Sequence, residues 1–257
     1  SGVPVRASVA GVVTAIEPWA APWGDGRVPS VIVRVAAEPD VPEPPRTVSH
    51  GMDPVAWTRD AGICGHGGAG FPLFRKMAAA RSAVGAPTLV VNAVECDAPT
   101  ACDRVLMEAE GEEVVRASVW LSRSMASSSA GPSGIPAVHW VASTRTVDAV
   151  RIALSARPDR ETAPAPVIHE VDDGFLAGDE RRFLGDIFGL ENVADNADGA
   201  PRPAESGYLV VNVGTLFALA QADRAVEPYR YVTLVSESGD VRTEALPYGL
   251  PLAAVMG

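Results

Sequence analysis

The run Gly65-His66-Gly67-Gly68-Ala69-Gly70-Phe71-Pro72 places four glycines within six residues, and Lys76 follows shortly after. Of 21 basic residues, Lys76 alone is lysine. Glycine lets backbone N–H groups approach an anion closely, and successive N–H groups form a concavity that suits phosphate. A helix starting after the loop would add the positive end of its dipole, and a compact ammonium would complete the cradle where an arginine fork is bulkier. A glycine-rich turn without a ligand is the competing reading. The spacing Gly65-x-Gly67-x-x-Gly70 formally fits the dinucleotide fingerprint, but residues 59–64 do not read as the buried strand that it needs. The Walker pattern fails because Phe71 stands where its lysine belongs.

Further polar groups cluster at the ends of apolar runs. Asn92 and Glu95 close the run 88–94, where a parallel sheet would place ligand-binding groups; an amide and a carboxylate there could bind ribityl or ribose hydroxyls, or serve as caps. Asp179 and Glu180 open a helical stretch, where a helix dipole alone favours acids. Asn212 and Thr215 follow a fourth apolar run and also fit an N-cap arrangement. Among the histidines, His66 has a place in the loop, His139 and His169 sit in strands, and His50 reads as a surface residue. Cys64, Cys96 and Cys102 contain no Cys-x-x-Cys pair, and with His66 they fit no standard zinc spacing, so no metal site is expected.

The elements that must position these groups set the fold. A length of 257 residues allows one large or two smaller domains, and a net charge of −11 argues against nucleic acid and anionic membrane surfaces. No apolar run reaches the length of a membrane span, and no signal peptide opens the chain, so a soluble, cytoplasmic protein without direct membrane insertion is expected. Residues 3–16 and 31–35 read as strands separated by a turn through Pro18, Pro22, Gly24 and Gly26, with a proline-rich linker at 39–45. Beyond residue 53, helices are expected over 53–60, 71–82, 103–110, 112–124, 146–156, 179–188 and from Asn212 to Ala222. Strands are expected over 88–94, 137–141, 167–171 and 207–211, with loops at 127–134 and 191–207. This alternation implies an α/β fold with a parallel sheet. The tail from residue 231 returns to β. The chain therefore divides into a small β module (1–45), an α/β domain (46–228) and a terminal β segment (229–257).

In order along the chain, these motifs resemble a known family. Gly65-His-Gly-Gly-Ala-Gly-Phe-Pro-x-x-x-Lys76 is similar to the flavin mononucleotide (FMN) loop of the NADH-binding subunit of respiratory complex I and of the C subunit of Rnf electron-transport complexes. Val91-Asn92-Ala93-Val94-Glu95-Cys96-Asp97 with Asp103-Arg104-Val105-Leu106-Met107 looks like the next Rnf motif, and a cobalamin reductase of microcompartments has a similar stretch. Gly178-Asp179-Glu180 resembles a Gly-Glu-Glu motif, and Asn212-Val213-Gly214-Thr215 an Asn-Val-Gly/Glu-Thr motif. Residues 7–17 look like the Rnf barrel-sandwich module, and residues 240–252 like the opening of a β-grasp module.

The resemblance implies a Rossmann-like FMN-binding domain. Gly65, Gly67, Gly68 and Lys76 would hold the phosphate end. Asn92, Glu95, Asn212 and Thr215 would hold the ribityl chain and ring edge, and Asp179 and Glu180 would lie near the ring. Phe71 and Glu180 would face the electron donor. The activity implied is electron transfer from NADH or NADPH through the flavin to a separate redox protein, such as a ferredoxin or a pathway enzyme, within a hetero-complex. Two departures bear on this. The cysteine-rich cluster region of the family is missing from this chain, and Ala79 stands where the complex I type carries an aromatic that helps stack NADH. They leave open a non-catalytic assembly subunit and a flavin enzyme acting on a small organic substrate.

Overall fold

The computed structural model describes residues 11–20, 26–35, 52–67, 70–84, 86–95, 97–126, 137–157, 164–174, 176–190, 201–224, 228–248, 250 and 255. Gly68, Cys96, most of the expected first strand, the 39–45 linker and the 127–134 loop lie outside them. The chain forms two compact units: Ser1–Pro4 with Pro45–Pro247, and Val5–Pro44 with Tyr248–Gly257.

The smaller unit contains an antiparallel ribbon of β1 (Gly11–Ala20) and β2 (Arg27–Val35). Both strands run further than the sequence suggests. Pro18, expected in a turn, faces Pro29 across the ribbon. Among the described residues the ribbon has two strands, and a proline is tolerated where a strand's N–H need not be paired.

The larger unit is built on four parallel strands in the order β5-β4-β3-β6. These are β3 (Thr88–Ala93), β4 (His139–Ser143), β5 (Val167–Val171) and β6 (Tyr208–Asn212). The central strand β3 is buried on both faces, as its unbroken Leu89-Val90-Val91 run requires. One face packs against the main core, to which α3 (Cys102–Met125), α4 (Val147–Ser155) and α6 (Val213–Arg224) contribute. On the other, Val90, Val141 and Val210 meet Phe183 and Leu184 of α5 (Glu180–Phe188). The helices α1 (Pro54–Asp60) and α2 (Leu73–Val84) flank the glycine loop.

Local chemistry explains the element ends. Asp53 caps α1, its Oδ2 accepting the Ala56 N–H at 3.2 Å, with Pro54 in the first turn. Asp179 caps α5 by accepting the N–H groups of Arg181 (2.8 Å) and Arg182 (3.2 Å), and Gly189 ends that helix at φ 69°. The two expected helices around Gly111 are one element with a break at Glu110 (φ −126°, ψ 17°). The expected 191–207 loop holds a 3₁₀ turn at Pro203–Ser206. The expected helix from Phe71 begins two residues later, because Pro72 is still bridged to Cys64. The ribbon of β7 (Tyr229–Val235) and β8 (Val241–Pro247) belongs to this compact unit, which runs to Pro247. It is tied down where Gln221 Nε2 donates to the Tyr229 carbonyl (3.1 Å) and the Tyr229 hydroxyl donates to Glu110 (2.6 Å).

His139 and His169 stack across β4 and β5, with Nδ1 and Nε2 2.9 Å apart and Phe188 edge-on to both. Burial holds both imidazoles below their ordinary range, and His139 is lowered further by its neighbour. The unfolded chain therefore takes up protons at a higher pH than the folded one. Stability should be full above the unfolded value of about 6.5 and fall as the pH drops through the lower folded values. The pair's own contribution, read as the difference in thermal midpoint between wild type and His139→Phe, should decline between pH 7.5 and 5.

Candidate functional site

The loop between α1 and α2 is closed at its base. Gly65 N–H donates to the Phe71 carbonyl (2.9 Å), and Leu73 N–H donates to the Ile63 carbonyl (3.0 Å). These two bonds close the base of the loop, a bow whose residues 65–67 reach the carboxyl end of β6. Gly70 takes φ 61°, a conformation that glycine adopts without cost. Gly67 lies so close to β6 that a Cβ there would stand 3.1 Å from the Cβ of Asn212. The His66 N–H donates to Thr215 Oγ1 (2.9 Å), locking the bow to the start of α6.

A groove opens beneath the bow. Gly65, Gly67, Gly70 and Phe71 line it from the loop, Lys76 from α2, Glu180 from α5, and Asn212 and Thr215 from beyond β6. Lys76 Nζ donates to Glu180 Oε1 (2.7 Å) and to the Val210 carbonyl (3.2 Å). The first turn of α2 contains no acid, so its positive end is not neutralised from within the helix. One end of the groove thus combines glycine backbone, a helix N-terminus and an ammonium. A carboxylate shares that ammonium.

The remaining sequence-expected groups stand beside the groove. Asn92 and Glu95 are 8% and 5% exposed. Asn92 Nδ2 donates to the Gly178 carbonyl (3.0 Å), and Asn92 Oδ1 accepts from Val94 N–H (3.1 Å), tying β3 to the turn before α5. Glu95 Oε1 accepts the N–H groups of Asp103 (2.7 Å) and Arg104 (3.1 Å), and so caps α3 from outside the helix. Asp179 caps α5 and thereby sets the position of Glu180. Ala79 packs against the main core and does not line the groove. The groove's aromatic is Phe71, with the Arg202 guanidinium 6.0 Å from its ring centroid.

Sequence reasoning gave Asp103 no role, yet its Oδ2 accepts from Asn212 Nδ2 at 2.8 Å. Burial, then the nearby Glu95, raises its carboxyl to about 7, against the lowering effect of the Asn212 bond. An acid one residue into a helix, behind a strand-ending Glu and facing an Asn, is the pattern that could have signalled it.

Residues 58–221 match the family model of the Nuo51 FMN-binding domain. The chain belongs to that family. Among curated relatives, this family member is 28% identical over 265 residues to the C subunit of the Na(+)-translocating ferredoxin:NAD(+) oxidoreductase complex of Acetobacterium woodii, covering 99% of this chain and 55% of that one. It is 28% identical over 253 residues to the C subunit of the ion-translocating oxidoreductase complex of Vibrio cholerae, covering 91% of this chain and 29% of that protein. The chain thus spans under two thirds of either relative. In fold it is similar to a chain of an NAD+-reducing [NiFe]-hydrogenase in the air-oxidized state, with TM-score 0.59 at 21% identity, over 79% of this chain and 37% of the other.

FMN fits the residues present. The cationic end suits its single phosphate, and the Asn212 amide, the Thr215 hydroxyl and the Glu180 carboxylate offer donors and acceptors to a polyol. Gly67 packs so closely on Asn212 that a side chain there would press on the Asn212 amide that lines the groove. Among the described residues no helix is long and apolar enough to cross a membrane, and no group of three or more His, Cys, Asp or Glu side chains could hold a metal ion.

Proposed function

We propose that this FMN-binding domain serves electron transfer, taking electrons from a reduced nicotinamide or a redox partner and handing them to a separate acceptor protein within a hetero-complex. The observation that carries this reading is Lys76, the chain's one ammonium, held by Glu180 and the Val210 carbonyl at the head of the glycine-lined groove. The relatives, a ferredoxin:NAD(+) oxidoreductase subunit and an NAD+-reducing hydrogenase, support a nicotinamide on one side and an iron–sulfur protein on the other. Bound FMN would supply the exchange between two-electron and one-electron chemistry.

The chain's own residues bind and orient. Lys76 places positive charge at the phosphate end, beside the glycine backbone of the loop. Asn212 and Thr215 orient the middle of the groove, and Glu180 holds Lys76 in place. Glu180 also sets a limit on the donor. A carboxylate at the groove and a net charge of −11 disfavour the approach of a phosphate-bearing nicotinamide. Phe71 is the surface on which a nicotinamide or adenine ring would stack, and Arg202 covers one side of it.

The test is anaerobic. The protein loaded with FMN should lose its flavin absorbance on NADH addition, slowly and with saturation only in the high-micromolar range. Acid release should return FMN and not FAD. Fast, saturating reduction at low-micromolar NADH would make the domain a direct NADH oxidase module. Bound FMN that neither NADH nor NADPH reduces would favour the partner-reduced or assembly role.

A further inference from the structure

A second cavity shares Asn212 with the groove. His66, Asp103, Asn212, Gly214, Arg230 and Thr233 are among its lining residues. Asn212 lines both spaces, and its amide is fixed at both ends. Oδ1 accepts the Gly214 N–H at 2.8 Å, and Nδ2 donates to Asp103 Oδ2 at 2.8 Å. Close packing on Gly67 restricts it further. Among the described residues, Asn212 is the one hydrogen-bond donor to the Asp103 carboxyl, because Glu95 takes the N–H groups at the start of α3. Two carboxylates therefore meet at one helix terminus, one of them capping it and the other aimed at the Asn212 amide.

Taking the groove as the flavin site, we propose that Asp103 is a positioning residue that acts through Asn212: it orients the amide lining the flavin groove and, exchanging its proton through the second cavity, links FMN affinity to pH. Asp103 as a residue keeps contact with that cavity, while its carboxyl is packed about by protein, and this burial with the adjacent Glu95 brings its titration to about 7. The other charged or titratable groups around the cavity are His66 on the bow, Arg230 and Tyr231 on β7, and Cys102 on α3; the Arg104 guanidinium is paired away with Glu108. His66 is held below its ordinary range by burial and by Arg230, and Tyr231 is pushed above its own by burial and Glu110. Both shifts lead away from pH 7.

The sign follows from the chemistry. With its proton on, Asp103 still offers an oxygen to Asn212 and adds no charge. With the proton off, a negative charge stands behind a site that takes a phosphate dianion, and binding weakens. The same group reads out without flavin. An acid whose folded value is raised contributes stability that is fully present below its unfolded value of 3.8 and lost as the pH rises through about 7.

FMN titrations by fluorescence quenching, at pH 6 and pH 8, compare the wild-type chain with Asp103→Asn and Asp103→Ala. The ratio of wild-type to Asn-variant dissociation constants cancels the titration of the flavin phosphate itself. That ratio should be near one at pH 6 and rise about tenfold by pH 8, the size of a single short-range charge interaction. The Ala variant, which leaves Asn212 Nδ2 without its acceptor, should bind more weakly than the Asn variant at both pH values. Without flavin, Asp103→Asn should melt higher than wild type at pH 8 and alike near pH 4. A ratio that does not change with pH overturns the proton linkage, and equal affinities of the Asn and Ala variants overturn the positioning role. If the Ala variant does not fold, the Asn-variant ratio decides. Wild type that binds no FMN at either pH overturns the flavin reading and this proposal with it, a result distinct from normal binding that Asp103 does not influence.

Discussion

Lys76→Ala should lower FMN affinity about ten- to a hundredfold while leaving the fold in place. A charge-assisted contact to phosphate contributes roughly 1.5–3 kcal/mol, which converts to that range. The loss is not confined to one contact. Lys76 now neutralises Glu180 at 2.7 Å, so the alanine variant leaves a carboxylate facing the site with no counter-charge at hand. The fold should tolerate the change, because the lysine side chain is 27% exposed and alanine is the best helix former for α2. Lys76→Arg should restore only part of the affinity, since a planar fork does not replace a point charge between Glu180 and the Val210 carbonyl. Fluorescence quenching of FMN gives the affinities, and a melting curve shows that each variant is folded. Unchanged affinity in the alanine variant would refute the phosphate role of the loop.

Gly111→Leu should cost about 2–3 kcal/mol and lower the melting midpoint of the larger unit by roughly 5–10 °C. Gly111 follows the break in α3 and is buried against α4, where a Cβ would stand 2.6 Å from the Cβ of Ala153, well inside contact distance. Gly111→Ala meets the same clash but gains up to about 1 kcal/mol of helix propensity, so its loss should be smaller. Adding Ala153→Gly should recover part of the leucine penalty, which a double-mutant cycle by calorimetry would measure. The effect should reach the site as well. The first half of α3 carries Asp103 and Arg104 to Glu95, and a shifted helix would pull Asp103 away from Asn212. If the leucine variant melts like wild type, the α3–α4 contact is looser than the distances indicate.

The elements were legible where the local signal was unambiguous. The apolar runs at 88–93 and 208–212 and the strand 167–171 are too apolar or too β-branched to be solvated loops, and Asp53 and Asp179 announce the helices that they cap. The ribbon β1–β2 was less legible, because a proline that reads as a turn residue is harmless where a strand's N–H need not be paired. The glycine loop was legible as an anion cradle from its composition and its single lysine. What Lys76 touches was not, since Glu180 lies 104 positions away and Val210 lies 134.

By itself, then, the sequence determined an α/β fold with a glycine bow, a following helix and a lone ammonium, because spacing and residue type act within a few positions. The tertiary structure alone decided the division of labour among the polar groups. Parallel pairing of β3 with β6 sets Asn92 beside Asn212, and the packing of α3 behind them lets Glu95 cap a helix and leaves Asp103 to hold the Asn212 amide. Those contacts join segments far apart in the chain. Burial and charge at such a junction depend on every segment that meets there, so no local pattern records them.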